Sequence, residues 1–172
     1  ADLAREIDYK YFVDVVGLPK ARSINDKVAN LCKFFAVSNL RNMLNPDFLV
    51  NFRASSSCNS EKNIINSRAW IQTAINVSKN IETLPYNAKK LKGYLPELRG
   101  MTVKKPEDFL PRMREISAEC GIAFVLLPHL KNSGVNGAVK WMSQDRVMLA
   151  MNNRGIYADK FWFSLFHEIK HV

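Results

Sequence analysis

The amino-acid sequence predicts an α+β fold with a mainly helical N-terminal part, a small three-stranded sheet and a final helix. Apolar residues recur at helical spacing over much of the chain up to Cys120, and after Gly121 the pattern changes to three short apolar runs. The last stretch returns to helical spacing and carries two histidines four residues apart. A run of helices, then strands and a closing helix is typical of the α+β class.

The first part of the chain, from Asp2 to about Met43, predicts two short amphipathic helices. In the first of them, apolar residues recur every four positions at Leu3, Ile7, Tyr11 and Val15. Ser23 and Asp26 have the spacing of a capping box and predict the start of the second helix. Two helices are too few for a helix-turn-helix, so any module that reads DNA is expected outside this chain.

The middle of the chain predicts one short extended segment and three helices. Phe48–Arg53 is expected to be a strand or an extended stretch, and a polar loop of small residues follows it. Ser60 and Asn87 are expected to cap the first two helices. The third helix is expected from Pro106 to Cys120, with its start or a kink at Pro111, and it stops at Gly121, where a left-handed residue is needed.

Three short apolar runs predict the strands of the sheet. They are Ile122–Leu127, Ala138–Met142 and Val147–Met151, and Ser143–Arg146 between the last two predicts a hairpin turn. The longest unbroken apolar run is far shorter than a bilayer requires, so we expect no membrane-spanning segment.

The composition is that of a globular protein. The 172 residues are 47% hydrophobic and 24% charged, which excludes disordered and collagen-like chains. Three cysteines with no closely spaced pair argue against a disulfide framework and favour a cytoplasmic location. The 25 basic and 16 acidic residues give a net charge of +9, which permits attraction to nucleic acid or to acidic partners without identifying either.

The final helix carries the residues with the clearest chemistry. At 100° per residue, His167 and His171 share one face of this helix, and apolar residues occupy the opposite side. Two imidazoles on one rigid helix suit a catalytic zinc ion, and Glu168 beside them can act as the general acid/base for peptide hydrolysis. The alternative is that both histidines hydrogen-bond to neighbours and that Glu168 is an exposed charge. The third histidine, His129, is expected to be structural or exposed.

The stretch from Asn152 to His171 resembles the active-site region of the ImmA/IrrE-type zinc metallopeptidase domain, and Gly137–Met142 resembles the strand before its hairpin. Phe52–Ser55 and the helix around Trp70 match less closely. The resemblance implies a zincin-like active-site helix in which His167 and His171 bind Zn²⁺ and Glu168 is the catalytic acid/base. In this family the domain commonly follows a Cro/C1-type helix-turn-helix in phage, mobile-element and toxin–antitoxin regulators, and some members cleave a repressor.

The chain departs from the family pattern at two points. Many members have glycine where this chain has Lys170, and the family's third metal ligand is an acidic residue on a later helix, beyond Val172. We therefore divide the chain into a helical extension or linker at 1–46 and a metallopeptidase domain at 47–172 that is truncated at its C-terminus. Zn²⁺ is expected in the intact protein, whereas this fragment is expected to be inactive and to hold no zinc or only an incidental metal.

The sequence thus predicts a zinc-dependent endopeptidase that acts on a regulatory protein such as a repressor or an antitoxin. The alternative is the sensor or dimerisation half of a DNA-binding regulator or antitoxin with little or no peptidase activity. Two further features stay open. The run Val147–Met151 is either an exposed edge that holds a substrate peptide or a core strand paired on both sides. Arg154 and Tyr157 either stabilise an oxyanion or pack at the start of the final helix.

Overall fold

The computed structural model describes residues 2–45, 52–54, 60–156 and 159–172, with the backbone alone at 52–54. Its α-helices are α1 (Asp2–Glu6), α2 (Tyr9–Val16), α3 (Ile24–Phe35), α4 (Glu61–Ser78), α5 (Ala88–Gly100), α6 (Pro106–Glu119) and α7 (Asp159–Ile169). Short 3₁₀ helices cover Leu40–Leu44 and Met101–Val103. The strands are β1 (Phe52–Ala54), β2 (Ile122–Leu127), β3 (Gly137–Ser143) and β4 (Arg146–Asn152). The predicted α+β class is confirmed.

The four described strands form one mixed sheet in the order β1-β3-β4-β2. β3 and β4 pair antiparallel as the predicted hairpin, with Ser143 opposite Arg146. β2 pairs parallel with β4, and β1 pairs antiparallel with the start of β3. The three predicted strands are therefore present, and the short β1, which overlaps the stretch expected to be extended, adds a fourth.

The helices of the N-terminal part differ from the prediction in number. The four-residue apolar spacing predicted one helix up to Val15, but α1 ends at Glu6 and α2 begins at Tyr9 because Asp8 adopts an extended conformation between them. The predicted capping box of α3 is confirmed. The Asp26 amide donates to Ser23 Oγ at 3.1 Å and the Ser23 amide donates to Asp26 Oδ2 at 3.0 Å.

The chain is divided into two compact units. The first takes in the described residues of Ala1–Val50, Ser56–Thr73 and Pro128–Val135. The Tyr11 hydroxyl and the Trp70 indole N–H both donate to the Pro128 carbonyl, at 2.9 and 3.0 Å, and so attach this loop to the helices. The largest fully buried side chains of this unit are Phe12, Leu31, Met43, Ile65, Trp70, Ile71 and Leu130. The predicted domain boundary between residues 46 and 47 lies outside the described residues.

The second unit comprises the described residues of Asn51–Ser55, Ala74–Leu127 and Asn136–Val172. Alternate residues of the strands join apolar residues of α5, α6 and α7 in one hydrophobic core. Its members include Leu91, Leu98, Phe109, Met113, Ile116, Ile122, Phe124, Val139, Val147, Leu149, Met151, Phe161, Trp162 and Leu165. The core therefore packs against the side of α7 that carries Phe161, Trp162 and Leu165.

Gly121 connects α6 to β2 in the predicted left-handed conformation, with a φ of +82°. A Cβ at this position would lie 2.3 Å from both the Cα and the N of Tyr86. The segment that contains Tyr86 is held in place by backbone hydrogen bonds, among them the Tyr86 amide to the Asp145 carbonyl at 2.7 Å and the Asn87 amide to the Cys120 carbonyl at 3.1 Å. Only glycine therefore satisfies both the backbone conformation and the close approach.

Among the described residues, none of the helices combines the length and the apolar character that a bilayer crossing requires.

We expect Gly121→Ala to lower the free energy of unfolding by at least about 2 kcal/mol, because the new Cβ meets backbone that cannot move aside and the left-handed conformation disfavours alanine. Urea unfolding followed by circular dichroism measures the change. Gly93→Ala in α5 is the matched control, since a Cβ at that position would meet nothing within 4 Å, and it is expected to stabilise the protein by about 0.5–1 kcal/mol. Equal effects of the two substitutions would contradict the packing argument.

Candidate metal centre

The helix α7 is amphipathic, as its sequence predicts. Phe161, Trp162 and Leu165 are buried on the side that faces the core, and the Trp162 ring lies 4.7 Å from the Phe109 ring between centroids. The predicted helix start near Tyr157 lies outside the described residues, and Asp159 opens α7 with a negative charge that suits a helix N-terminus. This packing fixes which face of α7 is turned away from the core.

The face turned away from the core carries both histidines. His167 is exposed, His171 is half-buried in the turn after α7, and their Nε2 atoms are 3.2 Å apart. Two nitrogens that each lie at about 2.0–2.1 Å from one tetrahedral ion are about 3.3 Å from each other. The same separation also fits an N–H···N hydrogen bond between opposite tautomers. The pair thus has the spacing of two ligands of one zinc ion.

Glu168 follows His167 directly, about 100° further round the helix, and its side chain is turned into the protein. Its side chain is only 1% exposed, and its Oε2 atom has no hydrogen-bond partner among the described residues. Burial raises the pKa of this carboxyl from its usual range to about 7, because the charged form loses its hydration. The alternative in which Glu168 is an exposed surface charge is therefore wrong.

The space that Glu168 occupies depends on Gly137, the first residue of β3. A Cβ on Gly137 would lie 2.8 Å from Glu168 Cγ, 3.3 Å from Glu168 Oε1 and 3.0 Å from Met151 Sδ. Gly137 is paired with Met151 across the hairpin, so strand pairing fixes the position of the Gly137 main chain beside the Glu168 side chain. The sequence predicts Gly137 only as part of a strand and does not predict its contact with Glu168. A glycine inside a strand is nevertheless a signal that another group approaches the backbone closely at that position.

Among the described residues, no third metal-ligating side chain joins the two histidines. His129 is half-buried in the loop of the first unit. Arg154 is exposed, and its amide donates to Asn152 Oδ1 at 2.7 Å, whereas Tyr157 lies outside the described residues. In the part of the chain that the structure describes, no group of three or more His, Cys, Asp or Glu residues has a metal-binding arrangement. The imidazoles fit zinc chemically but supply two protein ligands, and a catalytic zinc site usually has three.

The strand β4 lies between β3 and β2 and pairs with both. Of the two predictions for Val147–Met151, the core strand is therefore correct and the exposed edge is wrong. The hydrophobic run of this strand is typical of a buried strand with neighbours on both sides. Among the described strands, β1 and β2 are the edges of the sheet.

The chain matches no protein-family model, no curated protein and no solved structure. Its resemblance to ImmA/IrrE-type peptidases thus remains a prediction from the residues named above.

The burial of Glu168 predicts a pH-dependent cost to stability. Above a pH of about 7 the folded chain must hold a buried carboxylate, and below its unfolded-state pKa of about 4.5 that cost vanishes. We therefore expect the free energy of unfolding of Glu168→Gln, relative to wild type, to rise by about 1–3 kcal/mol between about pH 4.5 and pH 8. Urea unfolding in the presence of a metal chelator measures this difference. Glu107→Gln, which removes an exposed carboxylate of α6, is the control. An equal rise in the unfolding free energy of both variants would show that the pH dependence does not come from the burial of Glu168.

The contact between Gly137 and Glu168 predicts a coupling between two substitutions. Gly137→Ala is expected to cost about 1–3 kcal/mol of unfolding free energy, because its Cβ overlaps the Glu168 side chain. In a Glu168→Ala background the same substitution should cost about 1 kcal/mol less, as residues in contact do not act additively. Denaturant unfolding of the four proteins of this double-mutant cycle provides the measurement, and additive effects would show that the two residues do not compete for space.

Proposed function

We propose that this chain carries the active-site helix of a zinc-dependent endopeptidase of the ImmA/IrrE type, which cleaves a regulatory protein such as a repressor or an antitoxin. A cytoplasmic location and attachment to DNA through a domain outside this chain belong to the same proposal. Its site residues are His167 and His171 as zinc ligands and Glu168 as the acid/base.

The main support is the arrangement of these three residues at the C-terminal end of α7 and in the turn that follows it. The four-residue spacing of the histidines brings their Nε2 atoms within 3.2 Å of each other. Glu168 between them is turned into the protein, and its carboxyl has a pKa of about 7. A buried carboxyl without a partner is costly to stability, and such groups are concentrated at functional sites. A helix that served packing alone would not need this carboxyl.

The residues of the chain can divide the work of peptide hydrolysis between them. Zn²⁺, when bound, activates the attacking water and polarises the peptide carbonyl. His167 and His171 bind as neutral imidazoles, and the rigid helix sets the distance between their nitrogens. Glu168, with its pKa near neutrality, accepts the proton of the attacking water and returns it to the leaving amine. The Gly137 main chain leaves room for the carboxyl to take up its position.

The zinc content of the intact protein tests the ligand assignment. We expect His167→Ala and His171→Ala each to lower zinc affinity by at least about tenfold, because each removes one of few protein ligands. His129→Ala is the matched control, since it removes the other histidine of the chain and should leave zinc content unchanged. Inductively coupled plasma mass spectrometry of the purified proteins reports the metal directly, and equal zinc in all three variants would exclude this pair as ligands.

Co-expression with the regulatory protein encoded beside it tests the reaction. Glu168→Gln is expected to retain zinc and to reduce cleavage by about 10²-fold or more, since amides do not transfer protons in this way. Immunoblotting of the regulator measures its fragments. Identical fragments with wild type and Glu168→Gln would reject the peptidase mechanism and favour the alternative, a sensor or dimerisation half of a DNA-binding regulator.

A further inference from the structure

A groove of about 600 Å³ lies between α5 and the C-terminal end of α7 in the second unit. Leu91, Leu95, Phe166 and Ile169 are the main apolar residues that line it. Leu91 is buried, and the other three remain half-buried. A monomeric protein seldom leaves such a contiguous apolar surface open unless something binds there.

The charges around this groove are all of one sign. Lys92 and Arg99 of α5 and Lys170 after α7 line it and are exposed, and no acidic side chain of the described residues does so. The ion pairs found among the described residues involve none of these three cations. An occupant that matches the groove must therefore combine an apolar side with negative charge.

We propose that this groove, which we call the α5–α7 groove, binds an acidic amphipathic helix of a partner protein. Apolar side chains of that helix occupy the floor, and its Asp and Glu side chains lie beside the three cations. This is the helix-in-groove mode of recognition, in which apolar anchors repeat at three- and four-residue spacing. The inference needs neither zinc nor peptidase activity and so stands apart from the proposed function.

The shape of the groove favours a helix over a small ligand. Ala88, Lys92, Leu95 and Arg99 all line the groove, and their spacing of four, three and four residues makes one continuous line along α5. The 13 residues of α5 extend over about 20 Å, which is the length of three to four turns of a partner helix. Sites for small ligands enclose most of the ligand surface, whereas the walls of this groove are half-buried or exposed along its length.

The groove lies on a side of α7 and the turn after it that does not include Glu168. Phe166, Ile169 and Lys170 line the groove at three- and four-residue spacing, and Glu168 is buried away from it. Lys170, the residue at which the chain departs from the family pattern, thus takes part in the charged rim. A partner helix in the groove would contact α7 without touching the buried carboxyl.

Selection from a displayed library of random peptides of about 16 residues, long enough for a four-turn helix, tests the proposal on the intact protein. We expect the selected peptides to share apolar residues at helical spacing together with at least two acidic residues. Fluorescence anisotropy with the best peptide should then show saturable binding that weakens as NaCl rises from about 50 to about 500 mM, because the rim charges are exposed.

Two variants separate the α5–α7 groove from general attraction to a basic protein. Lys92→Glu/Arg99→Glu reverses the rim charge of α5 and is expected to weaken binding by at least about tenfold. Lys89→Glu makes the same kind of change on the same helix outside the groove and should alter binding by about twofold or less. Circular dichroism of each variant establishes that it is folded.

Three results would overturn the proposal. They are the selection of neutral or basic peptides, equal affinity of the best peptide for wild type and Lys92→Glu/Arg99→Glu, and the recovery of no peptide that binds saturably. Competition with dodecanoate tests whether the groove binds a small anionic amphiphile. A fatty acid that displaces the peptide and is itself lost in the double variant would show that the groove takes a small anionic amphiphile instead of a helix.

Discussion

The second unit depends on the pairing of β4 along both of its edges. Parallel pairing with β2 and antiparallel pairing with β3 give the backbone groups of this strand partners on both sides, and all of its residues after Arg146 are buried. The antiparallel register places Gly137 opposite Met151. The side chain of Glu168 lies against Gly137, so the position of the carboxyl depends on strand pairing as well as on α7.

The three proposed site residues differ in their exposure to water although they lie within one and a half helical turns. The histidine nitrogens are within reach of a metal at the outer face, whereas Glu168 is shielded from water and has its pKa raised to about 7. Burying an unpaired carboxylate works against stability, and the fold accepts that cost at one place where a glycine leaves the space for it. A residue that opposes stability and has its pKa near neutrality is suited to proton transfer.

The charged side chains of the second unit are not spread evenly over it. On α5 and α6, acidic residues are engaged in a cluster around Arg112, which pairs with Glu97 at 2.8 Å and Glu115 at 3.2 Å. Lys90 pairs with Glu119 at 3.1 Å on the same side. Exposed pairs of this kind contribute little to stability. Their consequence here is that Lys92 and Arg99 are left beside apolar side chains with no acidic neighbour in the groove.

Local features of this protein followed from the sequence by itself, because they depend on residues close together in the chain. The capping box at Ser23, the cap at Asn87, the left-handed Gly121 and the hairpin at Ser143–Arg146 are each determined by a few neighbouring residues. The shared face of His167 and His171 belongs with them, since helical spacing alone sets it.

Only the tertiary structure decided which of these local features are buried. Helical spacing turns Glu168 away from His167, but whether its side chain meets water or protein depends on the segments that pack there, among them Gly137 of β3, which is remote in sequence. For the same reason the apolar run of β4 is compatible with both an edge strand and a central strand. Only the positions of β2 and β3 on its two sides decide between them. A pattern along the chain specifies which residues share a face, whereas burial is specified by the segments that pack against that face.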